Sequence, residues 1–507
     1  MALSKVFTRA QLGIAAPLVE VEVHLSGGLP AFQLVGLPEA AVRESKERVR
    51  SALLNLGFTF PVSRITVNLA PADLPKEGGR YDLAIAIGVL AASKQIPEDL
   101  LSQWEFVGEL SLSGDLRKVK GILPVAMACY KSQRKLCLPA IDAPQAQLVS
   151  QLELGAAGDL LQVCHLLSGQ LPIFENTENR ENEKQTELPA SVLDIKDVKG
   201  QLQAKRALEI AASGGHHLLF SGSPGSGKSM LAARLPGLLA KLTDQECIES
   251  AAIYSVAGLA TEQICAGVRP FRAPHHTASA VSLVGGGSYP QPGEISLAHN
   301  GVLFLDEVVE FSRTVLEVLR EPLEAGEIHI SRAAQKVSYP ANFQLVAAMN
   351  PCPCGYAYDA SGRCRCSPDQ IKRYQSKLSG PLLDRIDLHI QVNPIAANEL
   401  LDVEQHTAQE SSADIASRVA KSVARQLARQ QCRNAHLAGE QLEKHCYLDS
   451  QLRELLASAA TKLELSARAC TRILKVSRSI ADLASADTIE RQHLLEALSY
   501  RQSQITQ

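Results

Sequence analysis

The sequence predicts a mixed α/β protein: a P-loop nucleotide-binding core with a C-terminal helical lid, preceded by a separate α+β domain. Three observations carry this. The apolar run Leu218-Leu219-Phe220 leads into Gly222-Ser223-Pro224-Gly225-Ser226-Gly227-Lys228-Ser229 and then into Met230-Leu231-Ala232, the strand, glycine-rich loop and helix order that a phosphate-binding loop needs. A second apolar run, Val302-Leu303-Phe304-Leu305, ends in the adjacent carboxylates Asp306 and Glu307 about 80 residues further on. Residues 173–192 are polar and charged with almost no core material, and they separate a region of alternating strands from the nucleotide-binding region.

At 507 residues the chain is too long for one core. The expected division is 1–172, a linker over 173–192, a nucleotide-binding domain over 193–393 and a helical domain over 394–507. Net charge is −3, so any nucleic-acid site has to be a local patch and not a property of the whole surface. No apolar run reaches the ~18–20 residues needed to cross a membrane. Lys5 and Arg9 precede an apolar stretch broken by Gln11 and Pro17, a poor signal peptide. The 12 cysteines are scattered apart from one cluster, unlike a secreted disulfide framework, and the expected compartment is the reducing cytoplasm.

Along the first domain, residues 18–25 alternate strictly and predict a half-buried strand, with 31–35 and 64–69 as further strands. Pro38 opens a predicted helix to residue 56, stopped by Gly57. Residues 81–93 form an Ala- and Ile-rich buried helix; strands over 106–112 and 135–138 flank a helix over 123–130. The segment Lys76-Glu77-Gly78-Gly79-Arg80 before that Ala-rich helix resembles the Lon-protease-type fold (ribosomal S5 domain 2-like). So does Gly108-Glu109-Leu110-Ser111-Leu112-Ser113-Gly114 with Val119–Leu123 after it. The resemblance puts Arg80 at the serine position and Leu123 at the lysine position. Neither side chain can serve a serine–lysine dyad, which implies a non-catalytic relative used for assembly or partner binding.

In the nucleotide-binding domain, Gly222–Ser229 would cradle the phosphates of ATP on backbone N–H groups, with Met230 beginning the helix behind them. Lys228 reaches the β- and γ-phosphates and Ser229 holds Mg²⁺. Asp306 orients the same ion or its waters, and Glu307 polarises the attacking water. A third core strand over 343–350 ends in Asn350, placed to contact the γ-phosphate or position that water. Arg385 follows a short apolar turn and suits an arginine finger acting from a neighbouring subunit, with a surface ion pair to Asp384 or Asp387 as the plainer reading.

Residues 282–293 are too rich in glycine and proline for core, and 326–339 read as a hairpin with Arg332 and Lys336 near its tip, residue types that grip phosphate backbone. Cys352-Pro353-Cys354 and Cys364-Arg365-Cys366 stand nine residues apart. Four thiolates on one loop suit tetrahedral Zn²⁺; the alternative is a set of reduced, redox-sensitive thiols. His275 and His276 lack a ligand partner at metal spacing and read as hydrogen-bonding side chains.

These residues resemble the magnesium-chelatase-like branch of the AAA+ ATPases. The resemblance rests on Phe271-Arg272-Ala273-Pro274-His275-His276, Gly285-Gly286-Gly287, Pro292–His299, the Leu-Phe-Leu-Asp-Glu strand and Ser379–Asp387. With the first domain and Asn350-Pro351-Cys352-Pro353-Cys354-Gly355, the whole chain resembles the ComM/YifB family. That resemblance implies a Walker A pair in Lys228 and Ser229, a Walker B pair in Asp306 and Glu307, sensor 1 in Asn350 and a trans-acting finger in Arg385. It puts sensor 2 at Arg468, with Arg472 as the other candidate. It further implies a homo-hexameric ring, with single-stranded or branched DNA as partner and no membrane. The expected activity is helicase or translocase action in branch migration during natural transformation and recombination. A metal-chelatase motor subunit is the competing reading, opposed by the first domain and the four-cysteine loop. A Lon-like protease is opposed by the lost dyad.

Overall fold

Strict alternation over Leu18–Ser26 (β2) buries one face of a strand, and that face needs partners on both sides. In a computed structural model, which describes residues 2–170, 193–287, 290–331, 336–357, 362–394 and 410–502, those partners are the strands Ala2–Arg9 and Arg64–Ala70. The stretch read as a linker, 173–192, lies outside the described residues. One compact unit is built from the chain up to Thr186 together with Asp244–Ala266, and a second from Glu187–Thr243 and Gly267 onward.

The first unit is a seven-stranded sheet. Its strands are β1 (Ala2–Arg9), β2, β3 (Ala31–Val35), β4 (Arg64–Ala70), β5 (Trp104–Phe106), β6 (Lys135–Pro139) and β7 (Leu154–Ala157), in the order β3-β4-β2-β1-β5-β6-β7. The sequence reading passed over β1, which lies centrally between antiparallel β2 and parallel β5. Its Thr8 and Arg9 are buried. Arg9 is satisfied there by two 2.7 Å bonds to the buried Glu105 carboxylate. A buried helix, Asp82–Ala92, crosses this sheet with every residue out of solvent. Gly88 permits the approach, since a Cβ there would stand 2.6 Å from Val23.

Two expectations need correcting. The single helix over 38–56 is broken into Ala40–Arg43 and Ser45–Asn55. The second piece is anchored by Ser45 and Arg48 on the buried Asp82 carboxylate. The strand over 106–112 is also split. Gly108 donates to the Arg80 carbonyl and accepts from the Leu83 N–H, so its backbone serves the helix start instead of the sheet. Glu109–Leu110 then pairs with Leu116–Arg117 in a separate ribbon.

Arg80 is buried and donates to Gln11 Oε1 and the Lys120 carbonyl at 2.5 and 2.6 Å; Leu123 is fully buried. Helix Asp244–Ala257 belongs to this unit. Its Ser255 carbonyl accepts from Gly121 N at 2.9 Å, and Ser255 Oγ donates to Gln145.

The second unit holds a five-stranded parallel sheet. After β8 (Leu218–Gly222) come β9 (Phe271–Arg272), β10 (Val302–Leu305), the hairpin strands β11 (Glu327–Ser331) and β12 (Lys336–Pro340), then β13 (Gln344–Met349) and β14 (Leu388–Val392). The sheet order is β9-β10-β13-β8-β14. All its pairings are parallel. The carboxyl ends of β8, β13 and β10 are therefore neighbours, so the phosphate loop, Asn350 and Asp306 emerge side by side.

The C-terminal helices Ser412–Gln430, Ser450–Lys462, Ala467–Leu483 and Arg491–Gln502 share one hydrophobic core with this sheet. The first three are capped at their starts by the side chains of Ser411, Asp449 and Ser466, each satisfying an otherwise orphaned backbone N–H. Residues 395–409 lie outside the described part. No helix among the described residues is long and apolar enough to cross a membrane.

Candidate functional site

The loop after β8 is shaped by glycines that a side chain would spoil. Gly225 and Gly227 have φ of +77° and +92°, with open space where a Cβ would stand. Gly222 is needed for a different reason, since its Cβ would meet the Val392 carbonyl at 2.2 Å. The Ser223 and Ser226 hydroxyls are buried with no hydrogen-bond partner among the described residues. An open concave loop with orphaned donors and a helix starting at Lys228 fits an anionic ligand such as a triphosphate.

Lys228 Nζ donates to the Gly222 and Ser223 carbonyls at 2.8 and 3.0 Å and to Asn350 Oδ1 at 3.2 Å. Burial lowers the pKa of its ammonium, against the opposing pull of Asp306 and Glu307. Ser229 Oγ donates to Asp306 Oδ2 at 2.6 Å, so hydroxyl and carboxylate converge on one point, the donor set a magnesium ion takes beside phosphate. Glu307 N caps the other Asp306 oxygen at 2.9 Å. Glu307 itself sits at φ +49°, a left-handed conformation that costs a non-glycine residue about 1–2 kcal/mol. The strained turn leaves its carboxylate half exposed, 3.5 Å from His276 Nδ1. Sequence reasoning gave the two histidines only a hydrogen-bonding role and did not find this approach to Glu307. The signal was the Phe271–His276 motif itself. His275 bonds Thr277 at 2.9 Å and lies against His276, ring centroids 4.1 Å apart.

Met230, also placed at the nucleotide, is half exposed on the helix that Lys228 begins. Arg385 is buried with its guanidinium engaged: Nη1 donates to the Pro381 carbonyl at 2.6 Å and Nη2 pairs with Glu324, while Nε has no partner among the described residues. Its expected neighbours Asp384 and Asp387 are not its partners. Asp387 instead takes Arg472 Nη1 at 2.6 Å and the His217 N–H at 2.8 Å. Burial alone pushes the Asp387 carboxyl up, but Arg472 and then His216 outweigh it and hold it well below the carboxylate range. Arg472 is thus committed to the core. Arg468, one turn earlier, is exposed and makes no side-chain hydrogen bond or ion pair among the described residues.

The sulfurs of Cys352, Cys354, Cys364 and Cys366 all lie within 4.8 Å of one another, the only such gathering of metal-ligand atoms among the described residues. Among Cys352, Cys354 and Cys364 the sulfurs are 3.3, 3.6 and 3.9 Å apart. Tetrahedral zinc with ~2.3 Å bonds needs sulfurs about 3.8 Å apart, so the four thiols fit it. N–H groups of Arg365 and Tyr356 pull the Cys354 thiol down to about 6. The loop abuts the phosphate site: a Cβ on Gly355 would stand 2.5 Å from Pro224.

Arg332 lies outside the described residues. Lys336, exposed, begins β12. The hairpin β11–β12 packs against the ribbon Gly285–Gly286 with Gln291–Pro292. Tyr339 Oη donates to the Pro290 carbonyl at 2.7 Å, and a Cβ on Gly285 would meet Ile330 at 2.9 Å. The two insertions singled out in the sequence are therefore neighbours.

Three family models match this chain. Residues 194–400 match "Magnesium chelatase, subunit ChlI", residues 21–142 match "Subunit ChlI of Mg-chelatase", and residues 409–501 match "Magnesium chelatase, subunit ChlI C-terminal". The competence protein ComM of Haemophilus influenzae is 51% identical over 503 residues, covering 99% of this chain and 98% of that one. The YifB proteins of Salmonella typhimurium and Escherichia coli are each 48% identical, covering 99% of this chain and 97% of theirs. With a phosphate loop, paired acids and polar strand end on a parallel sheet, and full-length similarity at this level, the chain belongs to the ComM/YifB family of magnesium-chelatase-like AAA+ ATPases.

Proposed function

We propose that this protein is an ATP-driven DNA translocase that works as a homo-hexameric ring in the cytoplasm, promoting branch migration during natural transformation and recombination. One observation carries the reading: the hairpin β11–β12 is inserted between the strand ending at Asp306 and the strand ending at Asn350, and it packs on the 285–292 ribbon. A hairpin joined directly to the strand ending at Asn350, and through two short helices to the strand ending at Asp306, is placed to convert a change at the nucleotide into a displacement of its tip. The competence protein among its relatives points the same way.

In this reading Gly222–Met230 bind ATP. Lys228 leaves the Gly222 and Ser223 carbonyls for the β- and γ-phosphates, and Ser229 with Asp306 holds Mg²⁺. The ion, when bound, draws charge from the phosphates. Glu307 accepts a hydrogen bond from the attacking water and so polarises it, with His276 beside its carboxylate, and Asn350 orients that water against the γ-phosphate. Arg385 completes the site from a neighbouring protomer. Arg468 is favoured as sensor 2, because Arg472 serves Asp387. Lys336 and Arg332 contact DNA phosphates. The four-cysteine loop holds structural Zn²⁺ and braces the phosphate loop through Gly355 and Pro224. The first unit is a Lon-like domain without peptidase chemistry, because Arg80 and Leu123 are buried structural residues.

The test is the steady-state ATPase rate with and without branched DNA. Severalfold stimulation is expected, together with loss of the stimulation and weakened DNA binding when Arg332 and Lys336 are both changed to alanine. The DNA-binding salt slope should fall by about one to two in that variant. A rate indifferent to DNA would favour the chelatase-type motor.

A further inference from the structure

The short helix Arg320–Ala325 joins two parts of the second unit that the mechanism uses separately. At one end it runs through Gly326, at φ +72°, straight into β11, and the Gly326 carbonyl accepts from Ala341 N at 2.7 Å, closing the hairpin base. Its side chains Arg320 and Glu324, four residues apart and so on one face, both reach the segment carrying Arg385. Arg320 Nη2 donates to Ser379 Oγ at 3.0 Å, and Glu324 pairs with Arg385 Nη2. Ser379 precedes the turn Gly380–Leu383, whose Pro381 carbonyl takes the other arm of the same guanidinium. One helix about 9 Å long therefore links the hairpin base to the guanidinium.

We propose that Glu324 is the positioning residue of Arg385. It holds the guanidinium within its own protomer, and it gives way to a neighbouring protomer's γ-phosphate when load on the hairpin shifts the helix. The inference rests on the motor reading above and adds to it the contact that makes hydrolysis depend on DNA. Both terminal nitrogens of Arg385 are engaged within the protomer, Nη1 by the Pro381 carbonyl and Nη2 by Glu324, so a phosphoryl group that takes the Nη fork competes with Glu324 for Nη2. The asymmetry of the pair favours exchange: the Glu324 side chain is 55% exposed and rehydrates on release, whereas that of Arg385 is 9% exposed and needs an anion in place of the one it loses.

Changing Glu324 to Gln keeps the shape and removes the competing charge. The DNA-independent ATPase rate should rise about three- to fivefold, the scale of a partly exposed ion pair. The DNA-stimulated rate should stay near wild type, so that the stimulation ratio falls towards one at an unchanged melting temperature. Glu324→Asp, charged but shorter, should give an intermediate ratio. The double variant Glu324→Gln/Arg385→Ala should be as inactive as Arg385→Ala alone, because the effect acts through the arginine. With a DNA-stimulated wild type, an unchanged ratio in Glu324→Gln overturns the proposal and leaves the motor reading standing. So does a parallel fall of both rates, which marks a merely structural contact, or a raised rate in the double variant. A wild type indifferent to DNA overturns the motor reading itself, and this proposal with it.

Discussion

Glu307 is the residue whose backbone and chemistry are hardest to separate. Its left-handed φ goes with a carboxylate 3.5 Å from His276, while the adjacent Asp306 bonds Ser229, so two neighbouring acids have different partners. Glu307→Gln should leave nucleotide binding intact, since Lys228, Ser229 and Asp306 are untouched, and lower turnover by about 10²-fold or more. Titration with a fluorescent nucleotide and steady-state hydrolysis separate the two, and normal turnover would remove Glu307 from its role. Lys228, Asp306, Glu307 and Asn350 were legible in the sequence because each ends or follows an apolar strand, and strand ends in a parallel sheet gather at one edge. The pairing of His276 with Glu307 was not, since the two lie about 30 residues apart and meet only because β9 lies beside β10. The ion pair of Arg472 was equally hidden beside the exposed Arg468. Both begin one helix, and the buried Asp387 carboxylate decides which is engaged.

At the scale of elements, the sequence showed period and punctuation well and burial on both faces poorly. Strand β2 announces itself by alternation, but β1 places Thr8 and Arg9 in the interior and so breaks the pattern that would reveal it. The helix broken at Glu44 and the strand ended at Phe106 fail for a related reason: Asp82 and Arg80 draw neighbouring segments out of their local preference. The four-cysteine loop is the opposite case, legible from composition alone, with its proximity to Pro224 visible only in three dimensions. Zinc bound there should be released by chelators at acid pH, as the thiolates protonate, and by Cys364→Ser at any pH. Release should weaken ATP binding through the Gly355–Pro224 contact without unfolding the sheet. Metal analysis by mass spectrometry should find about one zinc per chain, and a carefully prepared protein with far less would end the assignment.

For the whole molecule, linear order misleads in one place. The motifs of residues 190–390 follow one another as a single domain would, yet Asp244–Ala266 packs with the first unit, bonding Ser255 to Gly121 and Gln145. Nothing in the spacing of motifs marks that excursion, because a segment's partners are set by packing that composition does not encode. The assembly is likewise beyond one chain, but Arg385 gives it a test. Within its own protomer the guanidinium is held by Glu324 and Pro381, so a finger role places its phosphate on another copy, across a head-to-tail interface of the kind that closes into rings. Arg385→Ala and Lys228→Ala should each be inactive alone. Mixed in equal amounts, they form some interfaces that join the intact phosphate loop of one variant to the intact arginine of the other. With random placement about a quarter of interfaces are complete, so the mixture should recover up to about that share of wild-type ATPase if sites fire independently, and less if they must fire in concert. Native mass spectrometry confirms that mixed rings are present. If they are, and no ratio of the two variants restores hydrolysis, Arg385 does not act in trans.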